Sequence, residues 1–98
     1  MTHALRYRRA ARLEYDEAVA YYESVRPGLG RQFVDSVDRA LILIRENPFQ
    51  YPAVLSDVRR SYVRRFPYAL YYRIRTSSVV VLSVFHARRD PMVWRERA

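Results

Sequence analysis

The chain is 98 residues long, room for one domain that buries roughly 60 to 65% of its unfolded surface, and 18 basic against 10 acidic residues give it a formal charge of +8. All 18 basic residues are arginine and cysteine is absent, which excludes lysine Schiff bases and general bases, thiol catalysis, disulfides and thiolate metal sites. What remains suits an anionic partner, nucleic acid or an acidic protein segment, because guanidinium groups stay charged and present a planar fork that matches phosphate and carboxylate.

Met1 to Arg6 holds no apolar stretch of the kind that targets secretion, and no run reaches the eighteen or so apolar residues needed to span a bilayer. A cytoplasmic protein with no membrane partner is expected. Ala4 to Arg8 alternates Leu5 and Tyr7 with small or charged residues and predicts a short strand. From about Ala10 the period changes: Ala11, Tyr15, Ala18, Tyr22 and Val25 mark one face of a helix, and Glu14, Asp16, Glu17 and Glu23 are assigned mostly to the other. Pro27-Gly28-Leu29-Gly30 contains the only two glycines and breaks the chain. A second helix is predicted from about Leu29 to Glu46, with Phe33, Val37, Ala40, Leu41 and Ile44 as its apolar stripe and Asn47-Pro48 as its end. Two such helices joined by so tight a turn form an antiparallel hairpin.

Phe49 to Asp57 includes Pro52, has no clear period and reads as a loop. Val58 to Phe66 predicts a strand, the most basic segment of the chain, and Pro67 marks a turn or an edge. In Tyr68 to Arg75 the alternation puts Tyr68, Leu70, Tyr72 and Ile74 against the helices, and Ala69, Tyr71, Arg73 and Arg75 toward solvent or a partner. Thr76-Ser77-Ser78 is a turn, and Val79 to Phe85, apolar on both faces, reads as a central strand. Met92 to Arg97 forms a short helical or irregular tail with Trp94 as its large apolar anchor. The fold class is α+β in the order β-α-α-β-β-β, a helical hairpin packed on one face of a small, mainly antiparallel sheet, in a single domain over residues 1–98. The other face of the sheet is left for function.

His86 ends the predicted central strand beside Arg88 and Arg89. Such a set can serve phosphodiester chemistry, with imidazole taking the proton of a ribose 2′-OH and guanidinium groups stabilising charge on the phosphorane. Equally, a histidine at a strand end can satisfy a local hydrogen bond and fix the following turn. Arg59, Arg60, Arg64, Arg65 and Arg73 make a candidate basic face, with Tyr71 and Tyr62 as stacking contacts. No metal-ligand spacing, phosphate loop or nucleophile elbow is visible, so neither metal nor cofactor is expected.

Pro27-Gly28-Leu29-Gly30 with Phe33, the helix end at Asn47-Pro48, the stretch Arg64-Arg65-Phe66-Pro67-Tyr68-Ala69-Leu70-Tyr71-Tyr72, and His86-Ala87-Arg88-Arg89-Asp90-Pro91 with Trp94 follow one another across nearly the whole chain. This ordered set resembles the RelE/ParE superfamily of bacterial type II toxins. The resemblance implies a growth-inhibiting toxin of a toxin–antitoxin system, of the kind that serves plasmid stabilization, neutralised by a cognate acidic antitoxin with which it forms an oligomer. RelE-like members cut mRNA on the ribosome, and for that activity His86, Arg88 and Arg89 are the implied catalytic set. ParE-like members trap DNA gyrase on its cleaved DNA without a known catalytic residue, and Arg59, Arg60, Arg64, Arg65, Tyr71 and Arg73 are then the implied target- or antitoxin-binding face. Ala69 stands where RelE-like members typically carry an arginine. Trp94 stands where they carry a group that assists the chemistry, and indole transfers no proton in that role. These departures favour the ParE-like description; a ribosome-dependent endoribonuclease is the alternative, and an inactive relative or simple RNA-binding module the third reading.

Overall fold

Residues 3–98 are described by a computed structural model; Met1 and Thr2, part of the N-terminal stretch considered above, lie outside the described residues. The first alternation folds as β1 (Ala4–Tyr7), which turns Leu5 and Tyr7 into the core and leaves Ala4 and Arg6 exposed. The two helical periods give α1 (Arg9–Val25) and α2 (Leu29–Glu46). Ala11 and Ala18 on α1 meet Phe33, Val37, Ala40 and Ile44 on α2 in one buried cluster, so small residues on the first helix admit large ones from the second. Val25, assigned to the buried stripe by its spacing, is instead 57% exposed, since α1 runs past the core at its C-terminal end.

The turn between the helices explains both glycines. Gly28 has φ of 88°, the left-handed region that favours glycine. Gly30 sits where α2 touches α1: a Cβ there would lie 2.9 Å from both the Val19 carbonyl and Glu23 Oε1. Glu23 in turn accepts hydrogen bonds from the Gly28 and Gly30 amides at 3.0 Å, capping the start of α2 in place of an N-cap side chain. Gly30→Ala is therefore expected to push the hairpin apart and cost about 1–2 kcal/mol, readable as a lowered denaturant midpoint.

Four more strands follow, β2 (Ala53–Leu55), β3 (Val58–Tyr62), β4 (Tyr68–Ile74) and β5 (Ser78–His86), in a sheet of order β1-β5-β4-β3-β2. Among the described residues only the β1–β5 pair is parallel. The two-faced apolar run of β5 is accounted for by its place between β1 and β4. The segment Phe49 to Asp57 is not all loop: a 3-10 turn over Pro48–Gln50 precedes β2, which at three residues is too short to leave a period. The strand expected over Val58 to Phe66 stops at Tyr62. The chain then reverses through Arg65, at φ of 71°, and Val63 donates to the Tyr68 carbonyl at 2.9 Å.

Both faces of the sheet are covered, contrary to the expectation of a free one. On the helix side lie Leu70, Tyr72, Val79, Val81 and Val84. The Tyr72 hydroxyl donates to the Pro48 carbonyl at 2.6 Å, and burial pushes its pKa up to about 12, so it stays a neutral donor. On the far side Val58, Ala69, Tyr71, Leu82 and Phe85 form a second apolar cluster under Trp94, from the short helix α3 (Met92–Arg95). A bulge makes this possible: Tyr71 faces Ser83 but Tyr72 faces Val81, so β5 carries the extra residue Leu82 and its alternation resets midway.

Candidate functional site

The corner where β5 ends gathers the residues singled out for chemistry. His86 packs edge-on against the Tyr68 ring with centroids 5.1 Å apart, at one side of a cleft of about 540 Å³ that Leu13, Glu17 and Tyr21 of α1 border from above. Its Nδ1 accepts the Arg88 amide proton at 3.0 Å, and its carbonyl accepts the Arg89 amide at 3.1 Å. The histidine thus closes its own turn, and the acceptor bond requires Nδ1 to be unprotonated. The Arg88 side chain is exposed and makes no ion pair among the described residues, whereas Arg89 turns to Glu14. His86 and Arg89 line this cleft together, with Glu14 and Arg97 beside them, whereas Arg88 does not border it.

Glu14 is the residue that the helical period missed. Its carboxylate, 12% exposed, accepts from the Ser83 hydroxyl at 2.9 Å, the Val84 amide at 3.1 Å and Arg97 at 2.8 Å, and it pairs with Arg89. Arg97 also donates to the Leu82 carbonyl at 3.0 Å. β1 ends at Tyr7, opposite Val81, so beyond that point the edge of β5 is satisfied by side chains in place of a strand. Burial alone would raise the Glu14 pKa, but hydrogen bonds from Arg97, Arg89 and Ser83 outweigh it and hold the carboxyl below its ordinary value. The sequence signal was available: Glu14 stands three residues after Ala11 and four before Ala18, on the buried stripe itself.

The six residues of the expected basic face divide among different tasks. Arg59 points to the helix side and donates to the Phe49 and Tyr51 carbonyls, tying down the segment before β2. Arg73 is 11% exposed and pairs with Asp57 at 3.0 Å. Tyr71, expected to meet solvent or a partner, is 7% exposed and lies flat under Trp94 with ring centroids 4.0 Å apart. Alternation alone cannot show that a distant helix will roof a face. Arg60 extends over the exposed Tyr62 ring at 4.7 Å, and Arg64 and Arg65 are exposed at the β3–β4 turn. These three, with Arg39 of α2, border a groove of about 480 Å³ between α2 and β3. Among the described residues, no three or more His, Asp or Glu side chains are placed to hold a metal ion, and no helix is long and apolar enough to cross a membrane.

A helical hairpin on one face of a five-stranded mixed sheet, in the order β-α-α-β-β-β, is a RelE/ParE-like fold. A chain of the chromosomal ParDE TA system from P. aeruginosa has a TM-score of 0.76 over 89% of this chain and 98% of its own, at 16% sequence identity. A mutant of the E. coli toxin RelE in the free state has a TM-score of 0.72 over 99% of this chain and 95% of its own, at 20% identity. At these identities the likeness is one of fold. The family follows from the sequence: the profile described as the ParE toxin of type II toxin-antitoxin system, parDE, matches residues 5–91, and the chain belongs to that family. No curated protein sequence matches it.

Proposed function

We propose that this type II toxin arrests growth by engaging DNA gyrase in the ParE manner, in the cytoplasm, and that a cognate acidic antitoxin silences it within an oligomeric complex. The family match over residues 5–91 carries the reading. The corner of β5 supports it, because the groups a nuclease would use are already engaged: His86 Nδ1 by the Arg88 amide and the Arg89 guanidinium by Glu14. A formal charge of +8 draws an acidic antitoxin at long range and speeds its association.

Purified protein in excess is expected to impair supercoiling by gyrase, and its induction to cause filamentation and DNA damage signalling. His86→Ala is expected to remain fully toxic. Normal gyrase activity at toxin excess would overturn the proposal. Arrested translation with codon-phased mRNA ends, abolished by His86→Ala, would install the RelE-like endoribonuclease instead. Co-expression of the neighbouring reading frame, if it encodes a short acidic protein, is expected to restore growth.

A further inference from the structure

The groove between α2 and β3 joins a cationic rim, an apolar floor and a main-chain donor–acceptor pair. Arg39, Arg60, Arg64 and Arg65 border it and none makes an ion pair among the described residues, while its one carboxylate, Asp35, is held by Arg31 at 3.1 Å. Arg60 Nε is a buried donor without an acceptor, so its desolvation is uncompensated. The rim is short of anions. On the floor Ala40 and Leu43 of α2 meet Tyr51, and Leu43 is 46% exposed. The donor–acceptor pair belongs to Tyr62. Val63 donates toward β4, to the Tyr68 carbonyl, and Arg60 donates the opposite way, to the Pro52 carbonyl at 3.3 Å. By the alternation of a strand the Tyr62 amide and carbonyl turn the same way as those of Arg60, beyond the last residue that pairs with β2.

We propose that this groove is a binding site for a small molecule, an adenine nucleoside polyphosphate, whose base lies on the apolar floor and whose phosphates follow the arginine rim. A cavity of about 480 Å³ is of the size that encloses one such ligand. Each part of the molecule answers one feature of the groove. The base is a flat ring that covers Leu43 and stacks on Tyr51, and its edge sets an amino donor beside a ring-nitrogen acceptor, the complement of the Tyr62 carbonyl and amide. The guanidinium forks take successive phosphates through paired, charge-assisted hydrogen bonds. Phosphates without a base leave the floor bare, and a nucleoside without phosphates leaves the rim unpaired. Joined in one molecule, each half raises the effective concentration of the other. The groove shares no lining residue with the cleft at the β5 corner, so the inference does not rest on gyrase as the target.

The test titrates the full chain with ATP, adenosine, inorganic tripolyphosphate and a single-stranded oligonucleotide, and follows hydrogen exchange at the Tyr62 amide. ATP is expected to bind about tenfold or more tightly than either adenosine or tripolyphosphate, and to protect that amide. Arg64→Glu with Arg65→Glu should weaken ATP binding about tenfold or more. Arg8→Glu with Arg9→Glu makes the same charge change at the start of α1 and should weaken it less than about threefold. Leu43→Asn should weaken ATP about fivefold and leave tripolyphosphate unchanged, a comparison that decides alone if thermal unfolding shows the charge-reversed rim variant unfolded. Tripolyphosphate binding as tightly as ATP would reduce the groove to an unspecific anion patch, and equal weakening by the two charge-reversed pairs would reduce the effect to net charge. An oligonucleotide that binds more tightly and displaces ATP would make the groove a nucleic-acid site. Each of these outcomes overturns the proposal, as does ATP binding that leaves the Tyr62 amide unprotected.

Discussion

Glu14→Ala is expected to lower the unfolding free energy by about 3 kcal/mol, because one carboxylate ties together three parts of the chain through hydrogen bonds and ion pairs. It sits on α1, takes the Ser83 hydroxyl and the Val84 amide from the uncovered edge of β5, and pairs with Arg89 and Arg97 on either side of α3. Removing it leaves a backbone donor, a hydroxyl and two guanidinium groups without their acceptor, in a site where the carboxylate is only 12% exposed. In a domain of this size the loss corresponds to a fall in melting temperature of roughly 15 °C. Glu14→Gln keeps an acceptor for Val84 but no charge for the arginines, so about half the loss is expected. The pH dependence has a definite sign. The folded carboxyl is held below its ordinary value of 4.5, so its contribution is complete above that value and is lost as the pH falls through it toward the folded pKa. Denaturant unfolding of the wild type and both variants from about pH 7 to about pH 3 should show the curves converging as the solution is acidified. A gap that stays constant with pH, or a loss under about 1 kcal/mol in Glu14→Ala, would mean that the network contributes little.

How much of this was legible in the sequence varies with how local the cause is. The two helices, their break at Pro27 to Gly30 and the inward face of β4 follow from periodicity and backbone restrictions that act within a few residues, and they stand where the spacing put them. β2 escaped because a strand of three residues beside Pro52 has no period to detect. The end of β3 at Tyr62 escaped because Val63 to Phe66 is as strand-forming as what precedes it, and the reversal is set by the pairing of Val63 with Tyr68. The candidate site was the least legible part. Arg59, Arg60, Arg64 and Arg65 read as one basic strand, yet the pleat and the turn send them to a carbonyl anchor, a tyrosine face and a groove rim. Glu14 and Arg97 are separated by most of the chain, and only the closing of the sheet brings them within 2.8 Å. Tyr71 was misplaced for the same reason, because what covers it is Trp94 from the other side of a turn.

Trp94→Ala is expected to cost about 3–4 kcal/mol and to free the segment from Arg88 to Ala98. The indole is 4% exposed and lies on the Tyr71 ring at an interplanar angle of 14°, so its removal uncovers Tyr71 together with Leu82 and Phe85. Trp94→Phe should lose far less, about 1 kcal/mol. It keeps an aromatic roof and removes a buried Nε1–H that has no acceptor, so part of the lost contact area is offset by a desolvation cost no longer incurred. Hydrogen exchange is expected to show the last turn exposed in Trp94→Ala while the amides of α2 keep their protection, since the helix-side core does not include this residue. The two large effects should not add. Glu14 grips the tail through Arg89 and Arg97 at the edge of β5, and Trp94 grips it from the far face of the sheet, so either substitution already releases part of what the other holds. A double-mutant cycle is therefore expected to give a loss smaller than the sum by about 1 kcal/mol or more. Full additivity would show that the two anchors hold the chain independently and that the tail is not one cooperative unit.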